Sequence, residues 1–140
     1  MGYKFIDHTA DIAVEIQAHS LAELFQFASA ALIESLTNPH TVLAVEKKTI
    51  IFFADSYEEA LVSFLSELNY FLTVKKWVFS HIENICMEQE DSKIKFSAIV
   101  KGENLSVDHE LKLEIKAITY HQMEIKFKKE YYTTRIVFDI

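Results

Sequence analysis

The chain has 140 residues, 50% of them apolar, which is enough to bury one domain's core without disulfides or a partner. Its 21 Asp and Glu outnumber 14 Lys and Arg for a formal charge of −7, and the excess lies wholly in residues 1–70, where 3 lysines meet 10 carboxylates. Nucleic-acid affinity comes mostly from neutralising phosphates, so this acidic chain is a poor candidate for gripping RNA or DNA unaided; a partner could still bring the RNA.

In chain order, Tyr3–Ile6 reads as a short strand and residues 12–18 as a half-buried one, because Ile12, Val14, Ile16 and Ala18 alternate with Ala13, Glu15 and Gln17. Ser20-Leu21-Ala22-Glu23 is a capping-box pattern, apolar residues follow at helical spacing to Leu36, and Asn38-Pro39 stops the run, predicting a helix over about 20–37. Thr49–Ala54, rich in Ile and Phe, predicts a central strand buried on both faces. A second helix is expected over about 56–74, capped by Asp55 or Ser56, with Glu58 and Glu59 in its first turn and Leu61, Phe64, Leu65, Leu68 and Leu72 as its apolar stripe. From Trp77 onward the pattern is of strands, over 77–88, 93–101, 111–119, 122–128 and 134–140. The expectation is one α+β domain over 1–140, a mainly antiparallel (mixed) sheet with both helices on one face.

Gly2 and Gly102 are too few for a phosphate-cradling loop, and Cys86, between Ile85 and Met87, reads as a core sulfur rather than a nucleophile. No HExxH, paired CxxC or GxSxG spacing occurs, and neither a signal-like segment nor a membrane-length apolar run is seen. A soluble, cytoplasmic protein is expected. Four clusters could carry chemistry: Asp7-His8-Thr9-Ala10-Asp11, Asp108-His109, Lys116 through Tyr120-His121, and the closing strand. Locally, the first also reads as a turn whose side chains bond nearby backbone, and each His as a satisfied polar residue at a strand end. In the last, Ile136, Phe138 and Ile140 share one face and leave Arg135, Val137 and Asp139 on the other. Asp139 then sits beside a terminal carboxylate and carbonyl, oxygen donors suited to a hard divalent cation.

Several segments together resemble the archease family, the small accessory proteins of RtcB-type RNA ligases. His8-Thr9-Ala10-Asp11-Ile12 resembles the family's HTADI motif, Ser20–Phe25 the start of its first helix and Glu59–Leu72 its second. Glu114–His121 is similar to its EVKAVTYH block, and Ile136–Ile140 to its closing VIFDV. The chain departs at Ala13, where a Gly is usual, at Ser106, where an acidic residue is usual, and at Tyr131-Tyr132, near a usual Trp. The resemblance implies a non-catalytic activator that promotes guanylylation of the ligase in tRNA splicing or RNA repair and meets RNA only through the ligase. It implies metal ligation by Asp11, Asp139 and the main-chain oxygen of Ile140, with Lys116 acting beside them. The metal expected is Ca²⁺, with Mg²⁺ or Mn²⁺ as alternates; His8, Ser106, Asp108, His109 and His121 receive no catalytic role. Two other readings stand beside it. One is a chaperone or specificity modulator of another RNA-processing enzyme, such as a tRNA methyltransferase; the other is a metal-dependent hydrolase using His8, Asp11, His109 or His121.

Overall fold

The computed structural model describes residues 1–6, 11–120 and 123–140. Both helices start at reciprocal capping boxes. In α1 (Leu21–Leu36) the Ser20 hydroxyl accepts from Glu23 N at 3.1 Å, while the Glu23 carboxylate accepts from His19 N at 2.9 Å. In α2 (Tyr57–Thr73) Ser56 accepts from Glu59 N at 3.1 Å and Glu59 from Asp55 N at 3.2 Å, so Ser56 is the cap. Asp55 instead pairs with Lys93 at 2.6 Å.

The strands divide between two sheets. β1 (Gly2–Ile6), β2 (Asp11–Ala18), β8 (Tyr131–Asp139) and β6 (Ala117–Thr119) lie side by side in that order, and β7 (Lys126–Lys128) joins β8 at its Tyr131 end. β3 (Glu46–Ala54), β5 (Lys93–Asn104) and β4 (Trp77–Glu90) make the second sheet in that order. Every pairing among the described residues is antiparallel. The α+β class therefore holds, with α1 resting on β2 and β4 and α2 on β4, β3 and β6, so that the helices tie the sheets together.

Between them lies the core. Phe25 of α1 stacks on Phe64 of α2 and Phe96 of β5 at centroid distances of 5.9 and 5.6 Å, Phe64 and Phe96 meet tilted at 5.0 Å, and Phe52 of β3 stacks on Phe96 at 4.8 Å. Burying each ring contributes roughly 1.5–3 kcal/mol. β5 crosses β4 so closely at Gly102 that a Cβ there would lie 2.2 Å from the Val78 carbonyl oxygen, which leaves glycine alone able to occupy the position.

Four expectations need correction. Thr49–Ala54 is no central strand: β3 is a sheet edge, and alternate residues Ile51 and Phe53 face solvent. Of 111–119 only Ala117–Thr119 is strand, because residues 110–115 run across the helix ends and bond those instead of a ladder. Thr37 donates to the Glu110 carbonyl at 2.7 Å, Lys112 N to the Leu36 carbonyl at 2.8 Å, and the Asn69 amide to the Ile115 carbonyl at 2.8 Å. Cys86 is not a core sulfur but exposed, on a stretch of β4 following a bulge at Asn84. Partial desolvation and the Glu88 carboxylate push its thiol pKa up, which still disfavours a thiolate nucleophile. The strand expected from 122 is β7, seen over 126–128, its first expected residue lying outside the described ones.

Candidate functional site

The register of the first sheet brings the candidate residues together. Along β2 and β8 the buried row is Val14 opposite Ile136 and Ile12 opposite Phe138, and the opposite face carries Glu15 opposite Arg135, Ala13 opposite Val137, and Asp11 opposite Asp139. On β8's other side Asp139 faces Ala117 of β6, and its carbonyl accepts from Lys116 N at 2.7 Å. Asp11, Asp139 and the backbone of Lys116 thus meet at one end of three adjacent strands. Lys116 stands one residue before β6 rather than within a long strand.

Two carboxylates directly opposite on one face have Cβ atoms about 5 Å apart, where like charges repel and a shared cation would relieve the repulsion. Both are half-buried, and Ile140, next in line, is exposed. Hard oxygen donors in this arrangement fit a divalent cation of the Ca²⁺ or Mg²⁺ kind. Among the described residues no three His, Cys, Asp or Glu side chains form a metal-holding group, so the pair would draw further oxygens from main chain or solvent.

Lys116 also lines a depression of about 280 Å³ with Ser66, Asn69, Tyr70, Thr73, Ala117 and Ile118, between α2 and β6. Asn69, 7% exposed, holds the Ile115 carbonyl through its amide nitrogen and so fixes the backbone just before Lys116. Sequence reading missed this residue. Its one trace was a polar side chain inside the apolar stripe of α2, between Leu68 and Leu72.

His109 is placed elsewhere. Its ring is buried, its Nδ1 accepts from Ser106 N at 3.0 Å, and its Nε2 therefore carries the hydrogen that faces the Glu103 carboxylate of β5 at 2.9 Å. Glu103 also accepts from Leu43 N at 2.7 Å; that bond first, and His109 second, hold its carboxyl below the usual range. Nδ1 closes the 105–110 turn on itself and Nε2 ties that turn to the second sheet, so both ring nitrogens are spent. Ser106 accepts from Asp108 N at 3.2 Å within that turn, and Asp108 is exposed. His8 and His121 lie outside the described residues.

Comparison with known proteins gives the chain's family. Residues 3–140 match the model of the Archease protein family. The chain belongs to the archease family. It is 27% identical to protein archease of Methanothermobacter thermautotrophicus, covering 99% of each chain, and 34% identical to protein archease of Pyrococcus furiosus over 128 residues, covering 89% of this chain and 87% of the relative. Among solved structures it is similar to the solution structure of Methanobacterium thermoautotrophicum protein 1598, with a TM-score of 0.85 at 26% identity and 99% coverage of each chain. It is also similar to the crystal structure of an "archease, possible chaperone" from Thermotoga maritima, with a TM-score of 0.63 at 27% identity, covering 98% of this chain and 96% of that one. The archease fold accounts for the two sheets, whose separation no local pattern in the sequence announces.

Proposed function

We propose that this archease-family protein is a cytoplasmic activator of an RtcB-type RNA ligase, promoting guanylylation of the ligase in tRNA splicing or RNA repair. The observation that carries this reading is the pairing of Asp11 with Asp139 at the end of the first sheet, beside Lys116. In this reading the two carboxylates and the Ile140 main-chain oxygen hold a divalent cation, Ca²⁺ in the first place and Mg²⁺ or Mn²⁺ as alternates. Such an ion, when bound, supplies charge neutralisation of the kind that eases phosphoryl transfer.

The chain's own residues do the rest. Asp139 is held by ladder partners on both sides, so its backbone is fixed opposite Asp11. Lys116 is exposed and its N–H is bonded to the Asp139 carbonyl, which sets its backbone beside the pair; in this reading its ammonium acts with the carboxylates at the surface the ligase would meet. RNA is met only through the ligase.

The test is guanylylation of a cognate RtcB-type ligase with GTP, read as a mass shift, with and without this protein. Wild type is expected to stimulate, and Asp11→Ala or Asp139→Ala to lose most of that effect. Full stimulation by either variant overturns the carboxylate site, and no stimulation by wild type overturns the activator reading.

A second reading, a chaperone or specificity modulator of another RNA-processing enzyme, is favoured by the "possible chaperone" wording attached to the Thermotoga maritima relative. Affinity capture that recovers a tRNA methyltransferase in place of a ligase would select it. What weighs against a metal-dependent hydrolase is His109, whose ring nitrogens are both engaged, Nδ1 within its own turn and Nε2 with Glu103 of the second sheet, while the Asp11–Asp139 pair belongs to the first.

A further inference from the structure

β3 pairs with β5 through nine consecutive residue pairs without a register shift, and among the described residues no strand pairs with its other side. Natural sheet edges are usually blunted by shortness, proline, a bulge or inward charge. This edge has nine residues, no proline and no bulge. Lys47 and Lys48 charge only its first part, and Lys48 is drawn over the rings of Phe71 and Trp77 at 5.6 and 5.1 Å. Beyond them the outward face presents Thr49, Ile51 and Phe53, with Ile51 60% and Phe53 55% exposed, and Ile99 of β5 beside Thr49 extends the apolar surface.

We propose that the β3 edge pairs with β3 of a second copy of this chain, antiparallel across a two-fold axis at Ile51, joining two three-stranded sheets into one of six strands. Self-complementarity of the strand selects the occupant. Copies related by such an axis pair residues of the same face, so the register can move only in steps that keep outward residues opposite outward residues. With Ile51 opposite itself, Thr49 meets Phe53, and Lys47 comes opposite Asp55, the exposed residue just beyond β3, where it would add a second cation to the carboxylate that Lys93 of β5 already meets, each pair occurring twice. One step either way puts Lys47 opposite Phe53, or Asp55 opposite Thr49, and loses the charge match. One strand pair is a small interface, which makes the dimer weak and concentration-dependent.

The test is sedimentation or light scattering of the full chain over roughly 1–500 µM, the range a small interface requires. The mass is expected to rise from the 16.2 kDa monomer toward twice that value. Ile51→Lys and Phe53→Lys, both outward and exposed, should stay monomeric with unchanged circular dichroism. Ile51→Cys in a Cys86→Ser background should form a disulfide-linked dimer on mild oxidation, since directly paired residues bring their Cα atoms within bridging distance. A monomer at the highest concentration, or a dimer indifferent to both lysine variants, overturns the proposal. A dimer that the lysine variants break but that the Ile51→Cys variant fails to lock overturns the register and keeps the edge.

Discussion

Asn69 connects the interior of α2 to the candidate site. With its amide nitrogen on the Ile115 carbonyl and its Oδ1 without a hydrogen-bond partner among the described residues, it is a buried polar group kept for position. Asn69→Ala strands the Ile115 carbonyl and is expected to cost about 1–3 kcal/mol in urea unfolding. Asn69→Asp should cost more, because a carboxylate would face that carbonyl with no hydrogen to donate. Both should also lower ligase stimulation, although neither alters Asp11, Asp139 or Lys116. Glu103 gives a second expectation at this scale. Hydrogen bonds from Leu43 N and His109 depress its folded pKa, so its contribution to stability is present above the unfolded carboxyl value of about 4.3 and is lost as pH falls through the lower folded value. Wild type and Glu103→Gln should therefore differ in urea midpoint at pH 7 and converge in acid.

At the scale of elements, the two serine caps carry the clearest energetic prediction. Ser20→Ala and Ser56→Ala should each cost about 1 kcal/mol by thermal or urea unfolding, since each leaves a first-turn N–H unbonded. Both helices were legible because their signals are local: a capping Ser, a Glu three residues on, and a stripe of period 3.6. The strands were less so. Leu111, Leu113 and Ile115 alternate as a strand would, yet their backbone serves helix ends, and side-chain alternation does not reveal which partner a backbone bonds. Thr49–Ala54 misled in the other direction, because an apolar run looks the same at a sheet's centre and at an edge where Ile51 and Phe53 are exposed.

At the scale of the molecule, the charge of −7 concentrated in residues 1–70 gives the chain an uneven field. If that field helps steer it to a basic ligase surface, stimulation should weaken as salt is raised from about 0.05 to 0.5 M, where the screening length falls several-fold. Stimulation unchanged across that range would remove electrostatic steering from the account. The pairing of Asp11 with Asp139 was not legible from local pattern, since no window contains both and the first cluster alone also reads as a turn. Whole-chain resemblance to a family carried those two positions, and register explains why they belong together. The division into two sheets stayed hidden for the same reason: which strands pair is a long-range property of the chain.

The pairing of β2 with β8 also has a temporal meaning. β4 and β5 form a hairpin over the turn at Asp91-Ser92, and β3 joins β5 across α2 and β4, so every strand of the second sheet is present as soon as β5 is made. Asp11 is made well before its opposite number, which arrives only with β8. During synthesis, the half carrying Trp77 can therefore be folded while the carboxylate pair does not yet exist. A chain halted before β8 holds every strand of the second sheet and still lacks the paired carboxylates, so the pair forms only once β8 has joined β2.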